Sequence, residues 1–173
     1  MKKLIAVLTL ALAPIAGMAA GGPKVELQSA NIDLNNHAAI QRGAKLFVNY
    51  CQGCHATQYV RYQLLTNVGL TEDDIKNNLM FADGKVGDLM KIAMPAEDAG
   101  KWFGAAPPDL TLTARIKPGG EDWIYSFLKS FHTDPSRPLG VNNTVFQNVG
   151  MPHVLWELQG VQEPVYKFEV HHE

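Results

Sequence analysis

Five consecutive residues, Cys51-Gln52-Gly53-Cys54-His55, constrain this chain more than any other stretch. Two thiols three positions apart, followed at once by an imidazole, form the attachment site of a c-type haem. The spacing has a chemical reason. Each thiol adds across one vinyl group of the porphyrin, and the vinyls are far enough apart to require two intervening residues. The histidine that follows is then held beneath the ring, where a nitrogen ligates the iron from the proximal side. A cysteine pair also serves as a structural disulfide, a thioredoxin-like redox couple or half of a zinc site. The whole chain holds two Cys and six His. A zinc site needs a second ligand pair, and only the terminal His171-His172 offers one. A redox couple of thioredoxin type sits near a βαβ pattern, and none precedes the motif. One covalently attached haem c is therefore the expectation, carried by a chain of 173 residues that suffices for one domain with a core.

The first residues do not belong to that domain. Lys2 and Lys3 precede an apolar stretch from residue 4 to residue 16, and Gly17-Met18-Ala19 supplies a small-residue cleavage site. The stretch contains Pro14 and is too short to span a bilayer. Residues 1–19 read as a cleaved signal peptide, 20–36 as an extended N-terminal arm, and 37–173 as the haem domain. Export suits the motif, because bacterial c-type haems are attached outside the cytoplasmic membrane, where disulfide chemistry also operates. Loss of the two lysines leaves 13 of 15 basic side chains against 17 acidic ones, a net charge of about −4. That balance argues against nucleic acid as a partner and is compatible with a basic protein surface.

The expected fold is mainly α: a class I cytochrome c-like helical domain around the haem, with long loops. Asp33 or Asn36 caps a helix from residue 37 to about 50, with Gly43 permitting a close approach by another element, such as a C-terminal helix. A short helix is expected over 59–66, and Thr71-Glu72-Asp73-Asp74 opens another with a hydroxyl cap and acids in its first turn. Met80, Met90 and Met94 fall in stretches with helical character. Ala105-Ala106-Pro107-Pro108-Asp109-Leu110 is a rigid turn suited to a flat ligand, after which Asp109 caps a helix to about residue 116. Residues 122–131 form the clearest later helix, with Trp123, Tyr125, Phe127, Leu128 and Phe131 on its apolar side. A polar loop occupies 133–148, strands are few, and the alternating tail 166–173 has the pattern of one.

The second iron face needs its own ligand. Met151 stands in Asn148-Val149-Gly150-Met151-Pro152, where the glycine allows close backbone approach and the proline fixes the chain. A thioether is a weak ligand and needs such a fixed loop. Met94, His132 and His153 are the alternatives. Ligation by His55 and Met151 raises the reduction potential relative to two imidazoles, as suits a carrier late in a respiratory chain.

These blocks together resemble cytochrome c1, the haem subunit of the cytochrome bc1 complex (ubiquinol:cytochrome c oxidoreductase), in its proteobacterial form. The resemblance runs from Gly43 through the haem motif to Tyr59 and Tyr62. It continues with Trp102-Phe103-Gly104-Ala105-Ala106-Pro107-Pro108-Asp109-Leu110-Thr111, with Ala114-Arg115, and with Gly119-Gly120-Glu121-Asp122-Trp123. Arg137-Pro138-Leu139-Gly140-Val141-Asn142-Asn143 and the Met151 loop complete it, so that residues 32–160 are covered. It implies covalent haem on Cys51 and Cys54, His55 and Met151 as axial ligands, Arg115 paired with a haem propionate, and Pro107 and Pro108 packed on the ring. It further implies an electron carrier that is not an enzyme by itself, on the periplasmic side of the bacterial inner membrane. The implied neighbours are cytochrome b, the Rieske iron–sulfur protein as donor and a soluble cytochrome c as acceptor. Family members continue into a further helix and a C-terminal membrane anchor, which the residues after Met151 do not contain, so the chain reads as C-terminally incomplete. The acids Glu72, Asp73, Asp74, Glu97 and Asp98 are candidates for docking or simple solvated faces. The rival readings are a free periplasmic class I cytochrome, against which the Pro-Pro-Asp-Leu and Gly-Gly-Glu-Asp blocks count, and an open-site haem enzyme or gas sensor.

Overall fold

Two small clusters of apolar side chains, one around Val48, Leu79 and Met90 and the other around Phe127 and Phe131, organise the chain in a computed structural model that describes residues 25–165. The signal peptide at 1–19, the first residues of the arm and the tail at 166–173 lie outside the described residues. The architecture is mainly α, with two small two-stranded sheets. Among the described residues no helix is long and apolar enough to cross a membrane.

Helix α1, His37–Leu46, begins where Asn36 accepts a hydrogen bond from Ala39 N at 3.1 Å, satisfying one of the donors a helix start leaves open. Asp33 instead serves the turn before it, accepting from Asn35 N at 2.9 Å. The chain then widens into a π-helical turn, Phe47–Cys51, which delivers the first cysteine. Val48 in this turn is buried with Leu79 and Met90, and Phe47, Val60, Tyr62, Leu65 and Leu70 pack around them. Helix α1 lies against a 3₁₀ helix, Tyr62–Val68, to which Gln41 Nε2 donates at the Val68 carbonyl, 2.7 Å away. A Cβ built on Gly43 would meet no described atom within 4 Å, so the close approach expected there is not seen.

Residues 59–66 divide differently from the single helix expected. Thr57–Arg61 is strand β1, which pairs antiparallel and irregularly with β2, Leu89–Met90, and the 3₁₀ helix follows. A run of Thr, Tyr and Val favours an extended, half-buried surface over a helix. Helix α2, Glu72–Asn78, carries a complete capping box between Thr71 and Asp74, with Ile75 fully buried. Met80, Met90 and Met94 are not helical: Met90 is a buried strand residue, and the other two lie in connecting segments.

Helix α3, Ala96–Phe103, stops at Gly104, whose φ of 79° is a left-handed conformation that a side chain would strain. The 105–110 turn follows without regular structure, as expected. Helix α4 is only Thr113–Ile116, and Asp109 does not cap it; Leu112 holds the N-cap position without a side-chain bond. Helix α5, Gly120–Lys129, ends before Phe131, which belongs to strand β3, Phe131–Thr133. Strand β3 pairs antiparallel with β4, Val141–Asn143, inside the expected polar loop. Trp123 stacks on Phe127 at 5.0 Å, Phe127 meets Phe131 edge-on at 5.2 Å, and Phe131 stacks on His153 at 5.0 Å. Helix α6, Trp156–Gln159, closes the described chain.

The arm is tied down along α5. Gln28 N donates to Ser126 Oγ at 2.8 Å and Ala30 N to Asp122 Oδ1 at 2.7 Å. Gly119 allows this contact, because with φ of 90° a Cβ there would sit 2.5 Å from Leu27 Cδ1.

Candidate haem site

The π turn and the motif form one continuous backbone hook. Gln52 N donates to the Phe47 carbonyl at 3.0 Å, and then Cys54 N and His55 N both donate to the Cys51 carbonyl, at 3.1 and 2.9 Å. Three carbonyl-directed bonds in four residues gather the two thiols and the imidazole on one turn. Gln52 Nε2 donates to the Tyr62 hydroxyl at 2.6 Å and anchors that turn to the 3₁₀ helix. Insertions of this kind into a helix are a frequent way of re-aiming side chains at functional sites. The burial of Val48 holds this one in place.

The two cysteines are not joined in a disulfide; Cys51 is half-buried and Cys54 exposed. Burial pushes the Cys51 thiol above its ordinary value, and the neighbouring Cys54 adds to the effect. The His55 ring is held from across the fold: Nδ1 lies 2.8 Å from the Pro108 carbonyl oxygen. A carbonyl only accepts, so Nδ1 carries the proton and Nε2 is left with its lone pair for a metal.

The Pro-Pro-Asp-Leu block is therefore the counterpart of the motif in space. Leu110 N donates to the Ala56 carbonyl at 2.8 Å, Gln58 N to Asp109 Oδ2 at 2.8 Å, and Tyr59 N to Thr111 Oγ1 at 3.4 Å. Asp109, expected as a helix cap, instead fastens the chain just after His55 to its own turn, where Thr111 N also donates to it at 2.9 Å. Partial burial works to raise the Asp109 carboxyl, but the Thr111 hydroxyl and the backbone N–H groups of Gln58 and Thr111 outweigh it and hold the group below the ordinary range. Sequence spacing gave no signal for this role, since the partner across the fold, Gln58, lies 51 residues away.

A cavity of about 330 Å³ opens beside the turn, lined among others by Cys54, Ala56, Met94, Ala99, Ala106 and Pro107. Its walls are mostly small and apolar and include the Cys54 thiol, a combination suited to a flat iron porphyrin. The structure thus brings together Cys51, Cys54, His55, Pro107 and Pro108. Met94, placed second to Met151 on sequence grounds, lines this cavity, and Met151 does not. Met151 is half-buried in the loop after β4. Arg115 is exposed on the last turn of α4. His153 is buried, with Nε2 3.2 Å from the Gly160 carbonyl, and His132 is half-buried in β3. A Cβ built on Gly150 would meet no neighbouring protein atom within 4 Å. Three of the five surface acids of interest have local partners: Asp74 accepts from Thr71 N and Oγ1 in the α2 capping box, and Lys101 lies 2.8 Å from Glu97 and 3.6 Å from Asp98 on α3.

A mainly α domain built around a Cys-x-x-Cys-His turn, with its imidazole oriented by a distant carbonyl, defines a haem protein of the cytochrome class. Residues 29–162 match the model of the cytochrome c1 family. The chain is 54% identical over 166 residues to cytochrome c1 of Allochromatium vinosum, a match covering 95% of this chain and 67% of that protein. It is 43% identical over 155 residues to a protein called ammonia monooxygenase gamma subunit of Nitrosomonas europaea, covering 90% of this chain and 65% of the relative. Cytochrome c1 of Rhodospirillum rubrum is 35% identical over 117 residues, with 57% and 43% covered. The chain belongs to the cytochrome c1 family. It spans about two thirds or less of the length of these relatives.

Proposed function

We propose that this chain is the haem subunit of a cytochrome bc1 complex and carries single electrons, without being an enzyme by itself. The observation that carries the reading is the Cys51–His55 hook, with His55 held by the Pro108 carbonyl, in a chain of the cytochrome c1 family. The bound group supplies a one-electron iron couple. The protein's part is to hold that iron still. Cys51 and Cys54 would hold the porphyrin by two thioethers, and His55 Nε2 and the Met151 sulfur would hold its iron. Pro107 and Pro108 would pack on the ring, and Arg115 would pair with a propionate, for which a guanidinium is the natural donor. A rigid pair of ligands with little change between oxidation states favours fast one-electron exchange, so no side chain acts as a general base or nucleophile. The Rieske iron–sulfur protein is the proposed donor, a soluble cytochrome c the acceptor and cytochrome b the membrane neighbour. The site then faces the periplasm, after removal of residues 1–19.

A second reading of the distal ligand rests on one observation, the place of Met94 in the cavity beside Cys54. Absorption spectra of the haem-loaded protein distinguish the two. A weak near-infrared sulfur-to-iron band in the oxidised wild type that disappears in Met151→Leu and survives in Met94→Leu supports the proposal. The reverse pattern moves the ligand to Met94. A band absent from the wild type, with carbon monoxide binding readily to the ferrous form, overturns the carrier reading in favour of an open iron site.

A further inference from the structure

The Met151 loop begins at Asn148, one of two non-glycine residues described with positive φ, at 60°. Left-handed backbone is unfavourable for most side chains, and asparagine is among the few that adopt it readily. Here a residue eleven positions upstream holds that turn. Arg137 donates from Nη1 to Asn148 Oδ1 at 3.2 Å and from Nη2 to the Asn148 carbonyl at 3.0 Å. One planar guanidinium therefore grips both the side chain and the backbone of the same residue. From the other side, Asn148 N donates to Asn142 Oδ1 at 2.8 Å.

Arg137 is itself anchored. Its backbone N–H donates to the Asp134 carbonyl at 3.0 Å, and its carbonyl accepts from Gly140 N at 2.9 Å. Asn142 Nδ2 donates to Asp134 Oδ2 at 2.8 Å. The turn at 134–140, strand β4 and Asn148 thus close into one network. Beyond Asn148, Val149 is buried, and beyond Met151, His153 is buried and stacked on Phe131. Met151 is separated from these fixed points by only Gly150 and Pro152, so its sulfur stands where Asn148 and His153 put it.

We propose that Arg137 is a positioning residue for the distal ligand: its two-pronged grip on Asn148 sets where the Met151 thioether stands. The inference rests on Met151 being that ligand. A thioether carries no charge and makes a weak bond, so freedom at the loop's origin translates directly into time spent off the iron. Lysine cannot replace the grip, because an ammonium lacks the planar fork that reaches two oxygens at fixed separation.

The test uses haem-loaded protein carrying Arg137→Lys, Arg137→Gln, Asn148→Gly or, as a control for general loss of stability, Thr71→Ala at the distant α2 cap. The readouts are the near-infrared sulfur-to-iron band, the reduction potential and the rate of carbon monoxide binding to the ferrous form. Both Arg137 variants are expected to weaken the band, lower the potential toward that of Met151→Leu and speed carbon monoxide binding about tenfold, the ratio for roughly 1.4 kcal/mol of lost ligand positioning. Asn148→Gly keeps the backbone carbonyl and the left-handed turn, so it is expected to be intermediate. If Arg137→Lys folds poorly, Asn148→Gly alone decides: an unchanged band there overturns the inference. An intact band in Arg137→Lys, or an equal weakening in Thr71→Ala, also overturns it. A wild type whose band is absent or survives Met151→Leu refutes the ligand assignment itself, a different outcome.

Discussion

The ring of His55 points its Nδ1 at the carbonyl oxygen of Pro108, 2.8 Å away and 53 residues distant in sequence. This contact joins the haem motif to the Pro-Pro-Asp-Leu block, and it decides both the orientation and the tautomer of the imidazole. Groups that orient a metal ligand are worth about 10–100-fold in metal affinity or activity when removed. Replacing Pro108 with glycine keeps the carbonyl but frees its backbone, at a stability cost of about 0.4–1 kcal/mol from the unfolded chain alone. The haem-loaded Pro108→Gly protein is expected to show a lower Tm and a broader spread of iron environments by electron paramagnetic resonance. A wild-type line shape would show that the proline does not hold the ring.

Asn143 is expected to be among the most sensitive polar positions. It is fully buried, accepts on Oδ1 from Ser130 Oγ, Val145 N and Phe146 N at 2.9 to 3.0 Å, and donates from Nδ2 to the Phe127 carbonyl at 2.7 Å. Asn143→Ala strands several of these groups, each costing about 1–3 kcal/mol when left unpaired in the interior. Urea unfolding of the variant should show a midpoint far below wild type, with Asn143→Asp no better because it loses the donor and adds a buried charge. A midpoint near wild type would mean that water replaces the side chain.

Phe131 joins the aromatic stack to the loop that carries Met151. It is 1% exposed and touches both Phe127 and His153. Phe131→Ala is expected to cost about 3–5 kcal/mol in denaturant unfolding, as for other large aromatic truncations. Phe131→Leu keeps most of the volume and should cost much less. Equal losses in the two would place the stabilisation in ring stacking instead of filled volume.

The carboxyl of Asp109 makes acid sensitivity a readout of the same contact region. Its folded value lies below the ordinary aspartate value of 3.8. A depressed folded value means that the group's contribution is present above the unfolded value and is lost as pH falls through the folded one. Stability measured from pH 5 downward should therefore fall more steeply in wild type than in Asp109→Asn, which does not titrate. Parallel curves would remove Asp109 from the acid-labile contacts. Asp74, held low by the Thr71 hydroxyl and backbone, acts in the same direction, so the Thr71→Ala variant should also flatten the curve.

Local chemistry carried much of this reading and stopped where partners are distant. The Asn36 cap and the Thr71–Asp74 capping box rest on neighbours within a few residues, and the structure contains both; the helix expected over 122–131 is present as Gly120–Lys129. Extended segments were harder. The pattern over 59–66 reads as one short helix because its aromatic and branched residues also fit a helical face, whereas 57–61 is a strand whose partner, β2, has two residues and no pattern of its own. A carboxylate just before a short helix is a usual cap signature, whereas the bonds of Asp109 go to Gln58 and Thr111.

The sequence by itself determined the haem motif, the class of the domain and the candidate ligands, because two thiols and an imidazole at fixed spacing are a chemical statement that needs no neighbours. Which carbonyl orients His55, which methionine lines the Cys54 cavity and how Arg137 grips Asn148 were decided by tertiary structure alone. Those contacts join residues from eleven to more than fifty positions apart, and only the packing of Val48, Phe131 and their neighbours brings them into register.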